Sequence, residues 1–153
     1  MLSHLNVFFA ILTTISLVLV IVLLHYETLR LLSEHLPTFN IQPRLRILIV
    51  IYGTFFAHLL EIGLFGGGYY LFGTYLHLGT FHGVQQMAFL DYLYFSIVTY
   101  TSLGFGDIYP VGYMRLLAGI EGLMGLLMIG WTASFTYLMM EKLWLDHRKP
   151  HKK

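Results

Sequence analysis

Val98-Thr99-Tyr100-Thr101-Ser102-Leu103-Gly104-Phe105-Gly106-Asp107 is the stretch on which the reading of this chain turns. Two glycines one residue apart follow a short apolar run and precede an acid. Without a Cβ, Gly104 and Gly106 can take backbone angles closed to other residues, so successive peptide carbonyls can face one axis instead of alternating. A ladder of oxygens results. Where several chains meet around such an axis, rings of carbonyl dipoles replace the water around a monovalent cation without holding it by net charge, so it can also leave.

The surroundings of this stretch are those of a membrane protein. The 153 residues are 57% hydrophobic and 11% charged, with mean hydropathy +0.70, too apolar for an ordinary soluble domain. Leu5 to Leu24 is an uncharged run of about the twenty residues a spanning helix needs. It lacks the basic start and small-residue cleavage site of a signal peptide, so it is expected as a retained first span. Ile47 to about Phe65 is the second span, interrupted by His58 and Glu61, and Tyr113 to Met140 is the third, extending toward Trp144 as an interfacial marker. Between the second and third, Leu90 to Thr101 is apolar but too short to cross, which suits a re-entrant half-helix with Asp91 as its N-cap. Non-helical backbone at membrane depth must be buried in protein or line water, as the segment after Thr101 would. The expected fold class is an all-α membrane protein with three spans and one re-entrant pore helix and loop.

Thr101 to Asp107 reads TSLGFGD, which resembles the Thr-Val-Gly-Tyr-Gly-Asp signature of potassium channels. Ser102 stands where most members have Thr, Leu103 where Val or Ile is usual, and Phe105 where Tyr is usual. The likeness extends from about position 89 to 140, through Tyr94 to Thr99, Ile108-Tyr109-Pro110 and a glycine-bearing inner helix. The resemblance implies a passive potassium-selective channel, with cations held by carbonyls of Thr101, Ser102, Leu103, Gly104, Phe105 and Gly106 and hydroxyls of Thr101 and Ser102. It also implies that Asp107 ties the filter to Tyr94 of the pore helix. With one filter motif per chain and no internal repeat, a four-sided pore needs four chains, hence a homotetramer. Three parts follow: 1–43 as an additional helix with its connection, 44–145 as the pore domain, and 146–153 as a short basic tail.

Charge sets the expected orientation. Arg30, Arg44 and Arg46 lie between spans one and two, and Lys142, Arg148, Lys149, Lys152 and Lys153 follow span three, while residues 1–6 and 66–86 hold no Lys or Arg. The N-terminus is therefore expected outside and the C-terminus in the cytoplasm of a bacterial-type cell membrane, with the filter loop on the outer face. The basic tail is topology-setting charge that could also meet anionic lipid.

Several other residues invite a functional reading. Gly125 and Gly130 suit either a hinge or close helix packing. From Gly125 the 3.6-residue period brings Ile129, Ala133 and Tyr137 onto one face that is expected to line the cavity. Glu61 and Glu121 are acids well inside spans, where ionisable groups are expensive. They could sense protons, form a second cation site or brace helices. His58 and Glu61 share a helix face at i,i+3 and could bind a metal ion. No cysteine is present, which removes disulfides and thiolate metal sites. No cofactor besides permeant potassium, no nucleic-acid partner and no enzymatic activity are expected. No stretch carries the regularly spaced arginines of a voltage sensor. A weakly selective cation channel of the same architecture is the nearest alternative, followed by a non-conducting accessory subunit and a membrane metalloenzyme.

Overall fold

The computed structural model describes residues 2–39 and 41–148; side chains from 143 onward, Trp144 among them, and the tail at 149–153 lie outside the described residues. Three helices are long and apolar enough to span a bilayer: α1 (Leu2–His35), α2 (Pro43–Thr74) and α4 (Met114–Arg148), with the short α3 (Phe89–Tyr100) between the last two. At 1.5 Å per residue each long helix is about 50 Å, well beyond the roughly 30 Å hydrocarbon core, so their ends project past it. α1 packs on both α2 and α4, and α3 wedges between α2 and α4.

The connection from α1 to α2 is short. A 3-10 turn at Leu36–Thr38 ends α1, and Pro43 opens α2, its fixed φ already helical and its missing N–H one that the first turn would leave unpaired anyway. Arg46 donates through Nη2 to the Phe39 carbonyl at 2.9 Å, tying the turn to the new helix.

α2 runs well past the expected end near Phe65. Its Gly66-Gly67-Gly68 run costs helix propensity, on the order of 1 kcal/mol per glycine. Burial overrides that cost, because Phe65, Tyr69 and Phe72 are fully enclosed on the protein-facing side. Tyr69 meets Phe95 of α3 edge to face at 5.0 Å, and Phe81 meets the same ring at 4.7 Å. Met114 and Leu117 of α4 and Ile21 of α1 complete this core.

Two features depart from the expected all-helical layout. Strands β1 (Gly79–His82) and β2 (Tyr109–Gly112) pair antiparallel, Gly79 opposite Gly112 and His82 opposite Tyr109, clamping the loop before α3 to the loop after it. The half-helix also begins one turn differently. Ala88 is the N-cap and Asp91 sits at the third helical position, where its carboxylate accepts the Ala88 N–H at 2.7 Å. A carboxylate can reach back to the cap amide from there, so Asp91 still satisfies an open donor of the first turn.

Candidate ion pathway

The segment after α3 owes its shape to where its amides point. Ser102 N–H donates to the Thr99 carbonyl at 3.0 Å, and Gly104 N–H donates to the Val98 carbonyl at 3.1 Å. In a trans peptide the N–H and the preceding C=O face opposite ways, so the carbonyls of Thr101 and Leu103 face away from the helix. The φ angles follow the same pattern: Ser102 (+58°), Gly104 (+52°) and Gly106 (+79°) are positive, while Leu103 and Phe105 between them are not. Alternation of the sign of φ accompanies the Ser102 and Gly104 N–H groups turning to one side, which leaves the carbonyls of the same peptides on the other. Glycine takes this conformation freely, whereas Ser102 holds it at a cost of about 1–2 kcal/mol.

Residues 101–107 are all exposed on the single chain. The Thr101 hydroxyl donates its hydrogen to the Ile97 carbonyl at 2.7 Å, which leaves its oxygen lone pairs uncommitted. At the far end the Tyr94 hydroxyl donates to Asp107 Oδ2 at 2.8 Å, and Asp107 Oδ1 accepts the Ile108 N–H at 3.0 Å. The carboxylate beside it raises the pKa of the Tyr94 phenol above its usual value, so the phenol keeps the proton it donates. Residues 45–142 match a family model described as an ion channel. The chain belongs to this ion channel family. No curated protein and no solved structure matches it.

The channel's inner helix passes behind this segment without a break. Gly125 lies buried against the Tyr100 backbone, where an added Cβ would fall 1.9 Å from the carbonyl oxygen. Of the two roles open to Gly125, the structure has close packing, and Gly125 is not on the open face expected to line a cavity. Gly130, Ile129, Ala133 and Tyr137 are exposed on the single chain.

Two buried carboxylates stand behind the channel's re-entrant helix. Glu121 of α4 accepts from Tyr69 Oη of α2 and Ser96 Oγ of α3, each at 2.5 Å, and Ser96 Oγ also lies 2.8 Å from the Ile62 carbonyl. The network joins all three pore-forming helices. Glu61 of α2 has a different set of partners. His25 Nδ1 is 2.8 Å from its Oε1, His58 Nδ1 is 3.1 Å from its Oε2, and the Tyr100 hydroxyl donates to Oε2. Thr132 Oγ1 of α4 sits 3.0 Å from His58 Nε2 and 3.3 Å from His25 Nε2.

Sequence reasoning singled out His58, Glu61 and Glu121 and missed His25, Tyr69, Ser96, Tyr100 and Thr132. A signal for His25 was available: it directly follows the uncharged run Leu5–Leu24, and an ionisable residue at the edge of a span is a functional candidate by default. Tyr69, Ser96 and Thr132 are ordinary residues of apolar helices, and only the packing shows what they face.

Proposed function

We propose that this ion channel is passive and potassium-selective, a homotetramer whose carbonyls from Thr101 to Gly106 surround a shared axis. The alternation in the sign of φ from Ser102 to Gly106 carries this reading, because it accompanies carbonyls turned toward the exposed side. Backbone exposed in this way at membrane depth needs neighbouring chains and a water-filled path rather than lipid. The C-terminal end of α3 adds a partial negative charge near Thr101 that favours a cation there. Residues 44–145 form the pore unit, 1–43 the added helix and 146–153 the tail, with Ile129, Ala133 and Tyr137 lining the inner cavity and Gly130 left to flex. Tyr94 and Asp107 form the strut that holds each filter strand. The orientation is N-terminus out and C-terminus in, in a bacterial-type cytoplasmic membrane, and no enzymatic activity is assigned.

Phe105 and Phe95 favour a second reading, a weakly selective cation channel. Neither ring offers the hydroxyl or ring N–H that could tether the filter laterally, and selectivity depends on how firmly the carbonyls are held. Purified chain in liposomes, given a potassium gradient and separately a sodium gradient, tests the choice. Potassium flux in excess of sodium flux supports selectivity, equal fluxes support the weaker reading, and no flux of either ion opposes both.

A further inference from the structure

The geometry points to a buried binding site for a divalent transition-metal ion of the zinc type, held by His25, His58, Glu61 and Tyr100. Four donor atoms converge there: Nδ1 of His25, Nδ1 of His58, the Glu61 carboxylate and the Tyr100 phenol oxygen. The cluster has edges of 2.8 Å for His25 to Glu61, 3.1 Å for His58 to Glu61 and 2.9 Å for His58 to Tyr100. Ligands at about 2.0–2.1 Å from zinc form a tetrahedron with edges of about 3.3 Å, so the donor atoms must spread to admit the ion, Tyr100 and Glu61 the most. Ligand-bearing atoms of His25, His58 and Glu61 all lie within 4.8 Å of one another. His25 and Glu61 are fully buried.

Hydrogen counting is met in full by a cation. If both rings are neutral and donate from Nδ1 toward Glu61 and Tyr100, each Nε2 is an acceptor, and both face Thr132 Oγ1. One hydroxyl has one hydrogen, so in that arrangement one ring nitrogen goes without a donor, and the metal-free cluster closes only if His58 takes the other tautomer, donating from Nε2 to Thr132 and accepting the Tyr100 hydroxyl at Nδ1. A metal ion on the two Nδ1 atoms reverses the accounts. Both Nε2 atoms then carry hydrogen and donate to the two lone pairs of Thr132 Oγ1, and a ligating histidine almost always donates its other N–H to an oxygen. The ion would also balance charge, since among the described residues no Lys or Arg pairs with Glu61 and its buried carboxylate rests on the two histidines and Tyr100 alone. Two imidazoles with carboxylate and phenol oxygens suit zinc, cobalt or nickel, whereas magnesium and calcium prefer oxygen alone.

The site gives α1 a purpose. His25 comes from α1, His58 and Glu61 from α2, and Tyr100 is the last residue of α3, directly before Thr101. An ion here fastens the added helix to the base of the exposed loop. Trp131 of α4 packs beside the cluster, its ring 5.3 Å from that of His25.

The test uses the full chain purified through a tag without histidines, stripped with chelator and reloaded with one equivalent of Co2+ or Zn2+. One tightly held ion per chain, with the visible absorption of tetrahedral Co2+, is expected. His25→Gln and Glu61→Gln should each lose the ion, Thr132→Val should weaken binding about ten- to a hundredfold, and the tail variant His147→Ala/His151→Ala should keep full occupancy. Should the cluster variants fail to fold, X-ray absorption of the zinc-loaded parent decides, with two imidazoles in the ligand shell expected. Parent chain that takes up no ion overturns the proposal and leaves a purely hydrogen-bonded cluster. Ion retained undiminished in His25→Gln, or lost in the tail variant, overturns it as well. Metal content is read independently of conduction, so the result stands whichever ions the channel passes.

Discussion

Gly125→Ala should damage this protein where Gly130→Ala does not, though both replace a glycine in the same helix. A Cβ at position 125 would lie 1.9 Å from the Tyr100 carbonyl oxygen, 2.7 Å from its carbon and 3.1 Å from its Cα. All three atoms are backbone, so no side chain can swing away, and the helices must part by about an ångström to restore contact distance. Overpacking of this kind costs about 1–3 kcal/mol, against which alanine returns up to about 1 kcal/mol of helix propensity. With the full propensity gain the net loss is up to about 2 kcal/mol per chain, a fall of up to about 8 °C in the unfolding midpoint for a chain of this size. At position 130 nothing lies within 4 Å of the added Cβ, so the propensity gain stands alone and the midpoint should hold or rise. The displacement at Tyr100 also passes to Thr101, so ion flux should fall in Gly125→Ala. Thermal unfolding in detergent and flux in liposomes, measured on both variants, check this. Equal midpoints and fluxes for Gly125→Ala and the parent, or equal damage at both positions, would refute the close-packing argument.

Further outcomes follow from the two buried networks, the strut and the charge pattern. Glu121→Gln replaces one acceptor oxygen by an NH2 group facing either Tyr69 or Ser96, leaving a buried donor unpaired at a cost of about 1–3 kcal/mol; a midpoint unchanged in detergent would show that the network does not brace the helices. Tyr94→Phe and Asp107→Asn should each speed the loss of current under sustained activation, and the double variant should add little to either; additive effects in single-channel records would count against the strut. A reporter fused after Lys153 should label from the cytoplasm and a tag before Met1 from outside. The reverse pattern would displace the proposed orientation.

Much of the fold was legible because membrane spans and glycine-bearing loops leave strong local marks. The three long helices are visible as apolar runs, and Gly104 and Gly106 sit where left-handed backbone is needed. Ser102 joining them at φ +58° was not legible, since a serine at that angle is stabilised by amides already committed to Thr99 and Val98. The end of α2 was misjudged because three consecutive glycines weaken a helix locally, and only the burial of Tyr69 and Phe72 keeps it going. β1 and β2 escaped notice for a related reason. Each is four residues long, β2 contains Pro110, and their pairing is created by the placement of α3 rather than by any alternation in sequence. Of the candidate site, the 101–107 segment and the acids Glu61 and Glu121 could be read directly. Their partners could not, because His25 meets Glu61 across 36 residues and Tyr69 meets Glu121 across 52.

The central claim is that carbonyls of the 101–106 segment select potassium, and a bi-ionic recording tests it most directly. Purified chain in a planar bilayer, with potassium on one side and an equal concentration of sodium on the other, should give a reversal potential displaced strongly in the direction set by potassium. Gly104→Ala forces a side chain into left-handed backbone at about 1–2 kcal/mol and should abolish the current or bring the reversal potential toward zero. A parent that reverses at zero, or a Gly104→Ala channel as selective as the parent, would contradict the account.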